Sequence, residues 1–193
     1  SHADGTLSDD EYRWLVARAE GGFGLTMTCA TYVAPAGQAW AGQLGISDER
    51  HLEGLTRLAD GIRAAGSVSS VQLHHGGGRS DPAVTGVPNV APWDDPDKDI
   101  RALSTGEVQQ AVEDFVVGAE RAERAGFDGV ELLVVTVSET AYQTLGACVE
   151  RASRPTRGRS WRCSIGPGRS TGQRSSVMWR SPLRVGYLSM LAW

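Results

Sequence analysis

The sequence predicts an α/β chain forming part of a parallel (β/α)8 TIM barrel, about three βα units long, followed by a poorly ordered C-terminal tail. Three observations carry this expectation. Amphipathic helical stretches alternate with short apolar runs three times within roughly the first 135 residues, which is the rhythm of repeated βα units on a parallel sheet. That rhythm matches about half of a barrel of roughly 250 residues. The first apolar run lacks the Gly-x-Gly-x-x-Gly turn that would favour a doubly wound open sheet.

The first helix opens at Ser8, a good N-cap, and its first turn is acidic (Asp9, Asp10, Glu11), which complements the helix dipole. Tyr12, Leu15, Val16 and Ala19 share one face, and Gly21-Gly22 ends the helix. Residues 24–33 read as a buried strand, and a loop rich in Gly, Ala and Pro follows. Ser47 or Asp48 opens a second helix with the stripe Leu52, Leu55, Leu58, Ala59 and Ile62, closed by Gly66. Residues 67–75 form the second strand. A long Pro- and Asp-rich loop then runs from Gly76 to about Leu103, with turn chemistry throughout. Ser104 stands three residues before Glu107 at capping-box spacing. It starts a third helix with Val108, Val112, Phe115, Val116, Ala119 and Ala122 inward, closed by Gly126. Residues 127–135 are the third strand.

Composition narrows the function classes. The chain has 193 residues, 40% of them hydrophobic, and a net charge of −4. No apolar run reaches the roughly 18 residues of a membrane span, and no basic-then-apolar leader is present. Cys29, Cys148 and Cys163 are odd in number and contain no Cys-x-x-Cys pair, so neither a disulfide framework nor a zinc site is expected. The expectation is therefore a cytoplasmic protein without a metal. Charge is divided sharply along the chain. Residues 1–150 hold all 23 acidic side chains against 10 basic ones, whereas residues 151–193 hold nine Arg and no Asp, Glu or Lys. The Arg of the tail are interspersed with Ser and Gly and form no recognisable module, so nucleic acid is not an expected partner.

In a parallel barrel the chemistry sits at the C-terminal ends of the strands. Those ends are Cys29-Ala30-Thr31 and the stretch from Gln72 through His74 and His75 to Arg79. A Gln there offers an acceptor and a donor pair to the edge of a heterocycle. A small residue such as Ala30 lets a flat ring lie close to the backbone. His74 and His75 point to opposite faces of a strand, which argues against a two-His metal clamp. The Gly76–Gly78 run lacks the Gly-Lys-Ser/Thr ending of a P-loop and reads as a flexible loop start.

Four segments, in order and at matching spacing, resemble the old yellow enzyme-type NADH:flavin oxidoreductases. Arg18-Ala19-Glu20-Gly21-Gly22-Phe23-Gly24-Leu25 is similar to the family's helix-to-strand passage, and Asp48-Glu49-Arg50-His51-Leu52-Glu53-Gly54-Leu55 to its next helix start. Val71-Gln72-Leu73-His74-His75-Gly76-Gly77 resembles the family's Gln-Leu-x-His-x-Gly strand, and Ala125-Gly126-Phe127-Asp128-Gly129-Val130-Glu131-Leu132 its Ala-Gly-Phe-Asp-x-(Val/Ile)-Glu strand. The resemblance implies an FMN cofactor reduced by NAD(P)H and a hydride passed through the flavin to an electron-poor alkene, a small-molecule substrate. It implies that Ala30 lies beside the flavin ring and that Gln72 hydrogen-bonds its pyrimidine edge. His75 matches the motif His near the site, without an assigned role, and no residue is assigned as catalytic.

Two departures from the family accompany the resemblance. The family's first strand, with its flavin-facing Ser/Thr-Pro-Met/Leu segment, is expected just before Ser1. After Glu131-Leu132 the family continues with a His-x-x-His or His-x-x-Asn pair that holds the substrate carbonyl, where this chain has Leu133-Val134-Val135-Thr136. The expected organisation is thus a partial FMN-binding barrel over residues 1–132 and a non-family Arg/Ser/Gly-rich tail over 133–193, read as a frameshift. The alternative function is a catalytically inactive, truncated or frameshifted half-barrel fragment that self-associates through open sheet edges.

Overall fold

The computed structural model describes residues 1–134 and the backbone of three later strands. Four helices and eight strands are present among the described residues: α1 (Asp9–Glu20), β1 (Leu25–Tyr32), α2 (Leu52–Ala64), β2 (Val68–His75), α3 (Pro82–Thr85), β3 (Asn89–Ala91), β4 (Ile100–Ala102), α4 (Thr105–Arg124), β5 (Gly129–Val134), β6 (Arg162–Ile165), β7 (Ser176–Ser181) and β8 (Arg184–Ser189). The strands β1, β2 and β5 pair in parallel in that order, each preceded by one of the long helices. This is the expected run of three αβ repeats of a parallel barrel.

The local signals work as the residues suggest. The Ser8 hydroxyl accepts from the Glu11 backbone N–H at 3.2 Å. The Ser104 hydroxyl accepts from Glu107 N–H, and the Glu107 carboxylate accepts from Ser104 N–H at 2.8 Å, completing a capping box. Asp48 caps a single 3-10 turn, Glu49–His51, before α2 begins at Leu52. The helix before β2 ends on Gly66, at a positive φ of 84° that a side chain rarely adopts.

The core lies between the helices and one face of the sheet. Leu15 and Ala19 of α1, Leu55, Leu58, Ala59 and Ile62 of α2, and Phe115 and Ala122 of α4 pack onto Val71, Leu73 and Leu132. The period-2 alternation of strands then turns Ser70, Gln72 and His74 to the opposite face, away from the helices.

Two parts of the chain differ from the sequence expectation or lie beyond it. The 76–103 segment, expected as loop, contains α3 and a short parallel pair, Asn89↔Ile100 to Ala91↔Ala102. Three-residue strands are too short to show a hydrophobic period, so the turn residues around them dominate the reading. Of the expected tail, Leu133 and Val134 finish β5, and β6, β7 and β8 pair antiparallel. The rest of the 133–193 expectation lies outside the described residues.

Candidate functional site

One row of residues crosses the sheet at the C-terminal ends of its strands. Ala30 on β1 is in register with Gln72 on β2, and Gln72 with Glu131 on β5. A bulge makes this row possible. Between Met27↔Ser70 and Ala30↔Gln72, β1 spends two residues, Thr28 and Cys29, against the single Val71 of β2. Were the same residues laid out without the bulge, Cys29 would stand opposite Gln72 and Ala30 would turn toward the helices. The Thr28 hydroxyl accepts from the Gln72 backbone N–H at 3.1 Å and so ties the bulge to the neighbouring strand.

The row is polar and tightly bonded. Glu131 is buried, and its carboxylate accepts from Gln72 Nε2 at 2.6 Å. That bond fixes the amide orientation: one N–H goes to Glu131, leaving Oε1 and the second N–H of a half-buried side chain for another partner.

A second layer lies one step further along the strands, around Gln43. This fully buried residue lies in the loop after β1. Its Nε2 donates to the Ala30 carbonyl at 2.9 Å and lies 3.2 Å from His74 Nδ1, while its Oε1 accepts from Ala39 N–H at 2.7 Å. Gln43 therefore holds the backbone of the one residue of the row that has no long side chain. His74 pairs in register with Tyr32 and Leu133 and is buried, with its ring 6.4 Å from that of Trp40. Burial and the neighbouring His75 push its imidazole down to about 4, so the ring is neutral at pH 7.

His75 faces the other way. It is buried beside Gly37, where an added Cβ would come within 2.6 Å of the imidazole ring. Its Nδ1 accepts from Gly77 N–H at 3.1 Å, and burial lowers its pKa. It lines a cavity of about 390 Å³ with Ala34, Ala36, Val90, Leu103 and Asp114. Of the three residues singled out from the sequence, the structure thus brings Ala30 and Gln72 together and sets His75 on the opposite face. Gln43 and Glu131 were not singled out for the site. Glu131 was visible only as a motif letter, and nothing in the Gly- and Ala-rich sequence around Gln43 marks it. Among the described residues no group of three His, Cys, Asp or Glu is placed to hold a metal ion.

The parallel half-barrel with a polar row at its strand ends defines a class, and comparison with known proteins supplies it. The model of the NADH:flavin oxidoreductase / NADH oxidase family matches residues 1–136, and the chain belongs to that family. It is 39% identical over 138 residues to a probable NADH-dependent flavin oxidoreductase, YqiG, of Bacillus subtilis, covering 68% of this chain and 36% of the relative. It is 34% identical over 132 residues to an NADPH dehydrogenase of Bacillus licheniformis, covering 67% and 38%. The old yellow enzyme homologue of Zymomonas mobilis superposes with a TM-score of 0.62 at 26% identity, over 68% of this chain and 40% of that one. Morphinone reductase shares the fold, with a TM-score of 0.69 at 23% identity, over 81% of this chain and 53% of that one. The chain spans less than two-fifths of the length of the two curated relatives.

The family consists of FMN-dependent oxidoreductases that use NADH or NADPH. The donor set of the row fits a flavin ring edge. Gln72 offers an amide oxygen and an N–H side by side, and Ala30 presents only a methyl group on the same face. Among the described residues no helix is long and apolar enough to cross a membrane.

Proposed function

We propose that this chain carries the flavin-facing part of an FMN-dependent NAD(P)H oxidoreductase of the ene-reductase type, acting on a small electron-poor alkene. The observation that carries the reading is the row Ala30–Gln72–Glu131, brought into register by the bulge in β1. When bound, FMN supplies the redox chemistry, and the protein's part is orientation and electrostatics. Ala30 leaves room for a flat ring against the backbone, and Gln43 keeps the Ala30 carbonyl in place from behind. Gln72 offers its free amide groups to the pyrimidine edge, and its bond to Glu131 keeps the amide from rotating. His75 acts from the far side of β2 by setting the Gly76–Gly77 turn through its bond to Gly77 N–H. The three widely spaced cysteines favour a reducing cytoplasm as the site of action. The test is titration of FMN into the purified chain, followed by flavin fluorescence. Saturable quenching and NAD(P)H oxidation with cyclohex-2-enone support the reading, and unquenched flavin rejects it for this chain.

A second reading is favoured by one observation: residues 151–193 hold nine Arg and no acidic residue, while the family match ends at residue 136. On this reading the chain is a catalytically silent half-barrel whose distal part is translated out of frame, and which associates through the outer strands β1 and β5. Translation of the coding DNA beyond codon 132 in the other two frames decides the first point. A His-x-x-His/Asn stretch in one of them is the expected result, and its absence from both removes the frameshift. Sedimentation of the purified chain decides the second, since a monomer at micromolar concentration rejects association.

A further inference from the structure

His74 stands beside Gln72 on the sheet face turned away from the helices, because strand residues two apart share a face. Its hydrogen-bond partners determine where its proton lies. The Gln43 side chain is held at both ends: its Oε1 accepts from Ala39 N–H, and its Nε2 donates to the Ala30 carbonyl. A flipped amide would set oxygen against the Ala30 oxygen and N–H against the Ala39 N–H, so the orientation is forced. The atom 3.2 Å from His74 Nδ1 is therefore an N–H donor. A neutral imidazole carries its proton on one nitrogen only. Nδ1 must then be the acceptor, and the proton sits on Nε2. Among the described residues no group accepts the Nε2 hydrogen, and Nε2 is not among the buried atoms left without a partner. The ring is thus held from behind, with its one donor available on the face shared with Gln72. Its strand neighbours in register are Leu133, whose side chain has no hydrogen-bonding group, and Tyr32, whose hydroxyl donates to the Asp4 carbonyl at 3.1 Å.

We propose that Gln43 locks His74 as the neutral Nε2–H tautomer, and that His74 Nε2–H is a hydrogen-bond donor to the carbonyl oxygen of a small ligand bound on this face. The inference rests on the reading of that face as the flavin and substrate side. Gln43 is the positioning residue: it touches no ligand, and it sets which nitrogen donates. A neutral donor suits a carbonyl acceptor, since it polarises the oxygen without bringing a full charge into a buried site. Leu133 adjoining it adds an apolar wall and no competing acceptor.

The test uses the full chain labelled with 15N-histidine and long-range 1H–15N correlation at pH 7. The His74 signals are identified by their loss in His74→Phe. The expected spectrum shows Nδ1 in the range of an unprotonated ring nitrogen and Nε2 in that of a protonated one. A protonated Nδ1, or fast averaging of the two, overturns the lock. In Gln43→Glu the carboxylate accepts from His74, and the tautomer is expected to reverse; an unchanged spectrum shows that Gln43 does not set it. Cyclohex-2-enone is then titrated in. A saturable downfield shift of the Nε2–H proton, with binding at least about threefold weaker in His74→Phe, is expected for the loss of one hydrogen bond. A proton that does not move overturns the donor role. FMN binding is followed separately by flavin fluorescence. Its failure while the Nε2–H still responds to the enone rejects the flavin reading and leaves the donor standing.

Discussion

Replacing Gln43 with leucine removes three hydrogen bonds from a point that solvent does not reach. Leucine keeps much of the volume, so the main cost is what it leaves behind. The Ala30 carbonyl, the Ala39 N–H and His74 Nδ1 lose partners at 2.9, 2.7 and 3.2 Å. A buried polar group stripped of its partner costs about 1–3 kcal/mol. His74 can recover part of its share by changing tautomer, and the leucine gains some apolar burial. The net expectation is about 3 kcal/mol, or a folded-to-unfolded ratio lowered on the order of a hundredfold. Gln38→Leu is the matched control, because Gln38 is also buried yet its side chain makes a single bond, to the Trp40 carbonyl at 3.2 Å. About 1 kcal/mol is expected there. Urea denaturation followed by tryptophan fluorescence measures both. Equal losses in the two variants, or less than about 1 kcal/mol in Gln43→Leu, would refute the view of Gln43 as the brace of the site.

Other consequences are equally open to measurement. Gln72→Ala, made in a form that binds FMN, is expected to weaken flavin affinity about tenfold by loss of a buried hydrogen bond; unchanged affinity and absorption spectrum would count against the assignment. Gly45→Ala places a Cβ 2.6 Å from His51 Nε2 and 2.7 Å from the Tyr32 ring, so a loss of about 2 kcal/mol is expected in thermal melts. Acid should destabilise the fold through His74. Its imidazole takes a proton only near pH 4 when folded, against an ordinary value of 6.5, so its contribution is full above pH 6.5 and is lost as pH falls through 4. The loss is on the order of 3 kcal/mol, and a His74→Phe variant whose stability falls just as steeply over that window would exclude His74 as the cause.

Much of the half-barrel was legible because its signals are local. Ser8, Ser104 and Glu107 mark helix starts by hydrogen bonds within one turn, and the Leu55–Leu58–Ala59–Ile62 stripe announces its own buried face. Of the candidate site, Ala30 and Gln72 were legible from their strand-end positions and the family resemblance. What those residues touch was not. The bulge at Thr28-Cys29 changes which residue of β1 meets Gln72, and a shift of register leaves no trace in the alternation of an eight-residue strand made of small and mixed side chains. Gln43 reaches His74 across 31 positions of sequence, through a loop whose composition signals only turns. His75, rather than His74, was marked because it matches the motif His of the resembling strand. Both lie on one strand, and which of them shares a face with Gln72 follows from simple alternation. What each then meets depends on α4 and the loop after β1, which no local pattern reports.

The bulge also divides β1 into two stretches that answer to different demands. Upstream, Thr26 is buried, with its hydroxyl 3.0 Å from that of Ser67, and serves the scaffold. Downstream, Ala30 lies on the face of Gln72, opposite the helices. Because one supernumerary residue separates them, deleting Cys29 would pair Thr28 with Val71 and leave Ala30 opposite Gln72, so the downstream stretch would keep its face while the strand lost its bulge. A single-codon deletion at the bulge would therefore leave the surface chemistry of the row as it is, whereas straightening the strand with all its residues kept would exchange Ala30 for Cys29. The bulge thus acts as a buffer: the strand can lose one residue there without changing what its downstream stretch offers.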